Sequence, residues 1–105
     1  MIIQLNADNN LSIHDDFAGT IDNLLLEKLK RFSKHISRLE VHFSDENASK
    51  QGVSDKRCML EARIEGKEPI AVTNEGETYE HALHGAIEKL KASLNTIIGK
   101  MEAHQ

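Results

Sequence analysis

Hydrophobic residues recur along this chain at two different periods, and the order in which the periods alternate leaves few folds open. Between Met1 and Ala7, Ile3 and Leu5 alternate with Gln4 and Asn6, the period of a half-buried strand, and the polar run Asp8, Asn9, Asn10 ends it. From Asp15 the spacing lengthens. Phe17, Ile21, Leu25, Leu29, Phe32 and Ile36 recur every three or four residues and predict one long amphipathic helix. Asp15 and Asp16 suit its N-terminus, and Lys30, Arg31 and Lys34 suit its C-terminus, because each sign of charge opposes the helix dipole there. Gly19 is its weak point, costing up to about 1 kcal/mol relative to alanine.

Alternation then returns. Leu39, Val41 and Phe43 stand against Glu40, His42 and Ser44, and Cys58, Leu60, Ala62 and Ile64 against Arg57, Met59, Glu61 and Arg63. Two strands with one wet face are expected, joined by a long mobile hairpin connection from Asp45 to Asp55 that is polar and carries Gly52. A tight turn at Gly66 to Pro69 leads into Ile70, Ala71, Val72 and Thr73 as the fourth strand, and proline suits a strand start. Thr78 then caps a second helix whose core stripe is Tyr79, Leu83, Ile87, Leu90, Leu94, Ile97 or Ile98, and Met101. The order is βαβββα. An α+β fold follows, in which both helices cover one face of a four-stranded sheet and leave the other to water.

Length and composition narrow the class. At 105 residues the chain is expected to form one domain spanning 1–105, and 39% apolar with 29% charged residues is globular, not disordered, composition. No apolar stretch is longer than Leu24 to Leu26, which is too short for a bilayer, and the start lacks the pattern of a signal peptide. A cytoplasmic protein without a membrane partner is expected. A single cysteine, Cys58, cannot close an internal disulfide. Its parity with Leu60 and Ile64 marks it as a buried small hydrophobe instead of a nucleophile.

The formal net charge is -4, yet Lys28, Lys30, Arg31, Lys34 and Arg38 fall close together with no acidic residue among them. Charge is sorted along the chain. The ordinary explanation is a solvated lysine-rich face, and the functional one is a local cationic surface that meets phosphates. At 100° per residue Lys30, Arg31 and Lys34 oppose the core stripe of the first helix, while Lys28 flanks it. On the second helix Lys89 and Lys100 point away from the core stripe, with Lys91 on its other flank. If the helices lie side by side, these residues make a bipartite RNA-binding surface of Lys28, Lys30, Arg31, Lys34, Arg38, Lys89, Lys91 and Lys100.

Other chemistry is poorly supported. Phe17, Phe32 and Phe43 fall at core positions, which argues against base stacking. His81 and His84, with Glu80 and Glu88 within a turn, share a helix face, but wet histidines are usually only solvated and the zincin pattern is missing. Asp45, Asn47 and Ser49 resemble the start of a calcium loop, but Lys50 stands where the turn needs glycine and Lys56 where the bidentate glutamate belongs. No serine triad and no glycine-rich phosphate loop occurs. No catalytic residue, metal site or cofactor is therefore expected. Glu40, His42, Arg57, Glu61 and Arg63 are expected to form cross-strand polar pairs on the open sheet face.

The whole order, with EKLKRFSKHISRLEVHF across the first helix and second strand and IEKL in the second helix, resembles the family of ribosome hibernation promoting factors and ribosome-associated inhibitors. The resemblance covers nearly the full length. It implies a fold related to double-stranded RNA-binding domains and a protein that is not an enzyme. Family members bind the small ribosomal subunit in the channel used by messenger and transfer RNA, and they stop translation when growth slows. Lys28 and Leu29 match the family's Lys-Leu pair, and Lys89 with Leu90 matches its later Asp-Lys-Leu stretch, Glu88 replacing the aspartate. The chain departs from the pattern where Ala92, Ser93 and Thr96 replace an Arg-Gln pair and a further lysine, and Tyr79 lies one residue early.

The leading expectation is a non-catalytic factor that binds the small ribosomal subunit through its rRNA and inhibits translation in stress or stationary phase. DNA is not an expected partner. The alternative is a protein-interaction or regulatory module on the same scaffold, with weakened RNA binding and self-association as a weak homodimer through the open sheet face or an edge strand.

Overall fold

The first alternating segment forms a strand, β1 (Ile2–Ala7), and the long-period segment a helix, α1 (Asp15–Lys28). In the computed structural model, residues 1–7, 15–45 and 56–103 are described. Three strands follow, β2 (Ile36–Asp45), β3 (Lys56–Ile64) and β4 (Ile70–Gly76), and a second helix, α2 (Tyr79–Ala103), completes the βαβββα order. The expected α+β architecture holds. The strands lie in the order β1-β2-β3-β4, with β1 parallel to β2 and the other pairs antiparallel. A parallel pair needs a crossover and α1 provides it, whereas antiparallel neighbours need only hairpins. The hairpin connection expected between β2 and β3 lies outside the described residues, apart from Asp45, which ends β2 and accepts a 2.9 Å bond from Lys56 Nζ on β3.

Parity decides which face each strand residue takes. Leu39↔Ala62, Val41↔Leu60 and Phe43↔Cys58 are cross-strand partners on the helix side, all buried. Ile21 and Leu25 of α1 and Ala82, Leu83, Ala86, Ile87, Leu90, Leu94 and Ile98 of α2 close the same cluster from above. Phe43 sits between the helices, its ring 6.0 Å from Phe17 and 5.5 Å, edge-on, from Tyr79. Phe17 and Tyr79 are only partly buried, while Phe32 and Phe43 are fully inside. The burial of Cys58, with its thiol pushed up to about 12 by desolvation, leaves it a small apolar side chain at neutral pH.

Two local devices set the ends of α2 and β4. Thr78 accepts a 3.1 Å bond from the His81 N–H, the expected N-cap. Asn74, at a helix-facing position of β4, donates to the carbonyls of Ala82 and His81 at 3.3 and 3.4 Å. Gly85 leaves room for it, since a Cβ there would overlap the Asn74 amide. In the β3–β4 turn Gly66 takes φ +79°, a conformation that suits glycine.

One boundary differs from the sequence expectation. The first helix stops at Lys28, a 3-10 turn spans Lys30–Phe32, and Ile36 opens β2 instead of closing a helical stripe. A β-bulge is the reason: Ile36 pairs with Ile64 but Arg38 pairs with Arg63, so Ser37 is an extra residue on β2. Its hydroxyl donates to the Arg63 carbonyl at 3.2 Å. The bulge lets Ile36 and Leu39, three positions apart, both point inward. In sequence such a spacing mimics a helix.

Candidate nucleic-acid interface

Where α1 ends, the chain keeps its apolar contacts while tightening its pitch. Leu29 and Phe32, three residues apart, are both buried, and Lys30 and Arg31 between them are exposed. In a 3-10 turn residues at that spacing eclipse one another, so one turn places two apolar side chains inward and two cations outward. The Phe32 N–H bonds to Leu29 O at 2.9 Å, and Ser33 closes the turn with its hydroxyl on Lys30 O at 2.9 Å. Lys30, Arg31 and Lys34 therefore lie on and just after this turn, not on a continuous helix as expected.

This turn meets the middle of α2. Arg31 donates from Nη1 to Asn95 Oδ1 at 2.8 Å, and its guanidinium carbon lies 5.2 Å from the Phe32 ring centroid. Between the two elements runs an open groove of about 760 Å³, lined by Lys28, Lys30, Arg31 and Lys91 together with Glu27, Phe32 and Asn95. Three neighbouring cations at the end of α1 and a fourth from the distant α2 thus share one concavity in an acidic chain. Glu27 lies in the lining, and Glu88 faces Lys91 at 3.6 Å with 70% of its side chain exposed, a contact weak enough to yield to a phosphate. The arrangement can hold consecutive phosphates: the ammonium groups act as point charges, and the planar guanidinium is held in place by Asn95 and Phe32.

The other expected contacts lie elsewhere. Lys34 is exposed beyond the turn. Arg38 is on the open sheet face, 3.9 Å from Glu40. Lys89 donates to the Thr73 carbonyl at 2.8 Å, along the outer edge of β4, and Lys100 lies beside the β3–β4 turn with Lys67, Pro69 and Ile70. At 100° per residue Lys91 stands about 200° around α2 from Lys89. The bipartite surface therefore forms with Lys91 alone from α2, because that helix covers β3 and β4 and turns its Lys89 and Lys100 flank toward the β4 edge. Asn95 was not legible as a site residue. Its partner Arg31 is 64 positions away, and nothing local marks the pair.

The open face of the sheet carries the expected polar network. Glu40 lies 3.5 Å from His42, 3.8 Å from Arg63 and 3.9 Å from Arg38, while Glu61 lies 3.9 Å from Arg63. His81 and His84 are exposed on α2, and no group of three or more potential metal ligands occurs among the described residues. Among the described residues no helix is long and apolar enough to cross a membrane.

Solved structures with the same fold are at hand. The N-terminal domain of Protein Y from Thermus thermophilus superposes with a TM-score of 0.70 at 19% identity, covering 91% of this chain and 98% of that one. A ribosomal subunit interface protein from Coxiella burnetii does so with a TM-score of 0.73 at 17% identity, covering 94% and 99%. At these identities the likeness establishes the fold. No curated protein sequence matches the chain. A family model described as sigma 54 modulation protein / S30EA ribosomal protein matches residues 4–102, nearly the whole sequence, and to that family this chain belongs.

Proposed function

We propose that this chain is a non-catalytic, cytoplasmic, ribosome-associated factor that binds rRNA of the small ribosomal subunit and inhibits translation in stress or stationary phase. The observation that carries the reading is the groove in which Lys28, Lys30, Arg31 and Lys91 converge on a protein of net charge -4. A repelling molecule that concentrates cations in one place selects for a phosphate surface of fitting shape and against polyanions at large. Lys34, Arg38, Lys89 and Lys100 are the outlying contacts of the same reading. Lys28 and Lys89 are the two that coincide with the family's lysines. Family membership and the printed description of the Coxiella burnetii protein support the ribosome as partner.

Co-sedimentation with purified small subunits tests this. The wild-type chain is expected to pellet with subunits at low salt and to be released as salt rises, and the triple variant Lys30→Glu, Arg31→Glu, Lys91→Glu is expected to stay in the supernatant. Unchanged pelleting of the folded triple variant would remove the groove from the argument.

A second reading is favoured by one observation. The Glu40 network fills the open sheet face with charges of both signs, the make-up of a specific protein contact. If the chain is instead a protein-interaction module, Arg63→Glu abolishes partner recovery and the groove variants do not.

A further inference from the structure

The two outer strands of the sheet are finished differently. Along β4, the Lys89 ammonium occupies the Thr73 carbonyl at 2.8 Å and stands where another strand would approach. A lysine on an edge is a usual protection against strand addition. Among the described residues β1 has no such device. Its residues Ile2–Ala7 include no charge and no proline, and they run in unbroken register with β2 from Ile2↔Arg38 to Ala7↔Phe43. Among the described residues no strand pairs with its outer side. Its side chains are also left under-covered: Ile2 is 69% exposed, and Ile3 and Leu5 are only partly buried, whereas Leu39, Val41 and Leu60 of the inner strands are at 0%.

We propose that the outer edge of β1 pairs with β1 of a second copy of this chain, antiparallel about a twofold axis at Gln4. In antiparallel pairs directly opposed residues share a face, so the axis must fall on a residue and not between two. With Gln4 on the axis, Ile3 opposes the partner's Leu5 on the helix side and Ile2 opposes the partner's Asn6 on the open side. Both apolar gaps close. A second copy fits because a neutral strand meets itself without like charges in opposition. The charged side chains Arg38, Glu40, Arg63 and Glu61 lie on the inner strands, already engaged with one another. One six-residue strand is a small contact beside the roughly 20–30 residues a side of stable interfaces, so the dimer is weak, with Kd on the order of 10⁻⁴ M. It stands independently of the ribosomal reading.

Sedimentation velocity on the full chain, from about 10 µM to about 1 mM, brackets that Kd and tests the proposal. The wild-type coefficient is expected to rise toward that of a dimer across the range. The Gln4 side chain donates to Asn6 Oδ1 at 3.4 Å on the open face and stands beside Glu40 of β2 in register, so Gln4→Lys gains an opposite charge next to it and the fold of each variant is checked by its denaturation midpoint. Gln4→Lys and Gln4→Glu, each alone, are expected to stay monomeric because two like charges meet on the axis, and an equimolar mixture of the two is expected to regain association. Arg63→Glu is expected to dimerise as the wild type does. A wild type that stays monomeric throughout overturns the proposal, as does a Gln4→Lys variant that still associates, or association lost in Arg63→Glu but kept in Gln4→Lys. Binding of β1 to a strand of some other protein while the chain alone stays monomeric also overturns it.

Discussion

Replacing Lys91 by glutamine separates the groove from every other cation of the chain, and its effect is legible in salt dependence. If each of the four groove cations neutralises one rRNA phosphate, the groove contributes about -0.8 per contact, or roughly -3, to the slope of log affinity against log salt. Between 50 and 200 mM salt the groove's share of the affinity then falls about 80-fold in the wild type and about 30-fold in Lys91→Gln, the outlying contacts adding equally to both. Lys67→Gln serves as the control, since Lys67 lies in the β3–β4 turn, outside the groove lining. Fluorescence anisotropy of the labelled protein against small subunits at several salt concentrations measures all three slopes. Equal slopes for Lys91→Gln and the wild type would refute the groove as the phosphate contact, and a Lys67→Gln slope reduced as much as that of Lys91→Gln would refute its localisation.

Further outcomes concern the scaffold that holds the groove. Thr78→Ala removes the bond to the His81 N–H and is expected to cost about 1 kcal/mol, read as a lowered midpoint in chemical denaturation. Gly85→Ala is expected to destabilise by about 1–2 kcal/mol because its methyl displaces the Asn74 amide, and to cost clearly less in an Asn74→Ala background, where that obstruction is gone; the pair of denaturation curves shows the coupling. Cys58 should be labelled by iodoacetamide at pH 8 far more slowly in the native chain than in the denatured one, because its thiol is buried and raised from 9.0 to about 12. Because the folded value is the raised one, the corresponding stability is intact below pH 9 and drains away as pH climbs toward 12. Cys58→Ala should flatten that alkaline decline relative to the wild type in urea titrations at each pH.

Most of the fold was readable because its elements obey their own periods. The alternation around Val41 and Leu60, the stripe from Leu83 to Ile98 and the cap at Thr78 all reappear where their spacing put them. The end of α1 was not readable. A 3-10 turn keeps Leu29 and Phe32 at a spacing that a longer helix also has, and the bulge at Ser37 adds Ile36 to the same false stripe. The site was half legible for a related reason. Lys28, Lys30 and Arg31 are neighbours in sequence, and a helical wheel sets Lys91 apart from Lys89. Which flank of α2 turns toward the 3-10 turn depends on the strands that helix covers, and that is a property of the sheet. Arg31 and Asn95 find each other only after the sheet has formed.

Ser37 acts as a counting spacer. Downstream of it, the outward set Arg38, Glu40, His42 and the inward set Leu39, Val41, Phe43 are fixed by pairing with β3, while upstream Ile36 anchors the basic turn to the interior. Deleting that one serine would leave Ile36 opposite Ile64 and Arg38 opposite Arg63, and would turn the bulge into a regular ladder with Ile36 and Leu39 two positions apart and both still inward. Losing a residue further along β2 would instead exchange the inward and outward sets and drive charged side chains beneath the helices. Tolerance of a one-residue deletion should therefore be confined to this junction and vanish beyond it.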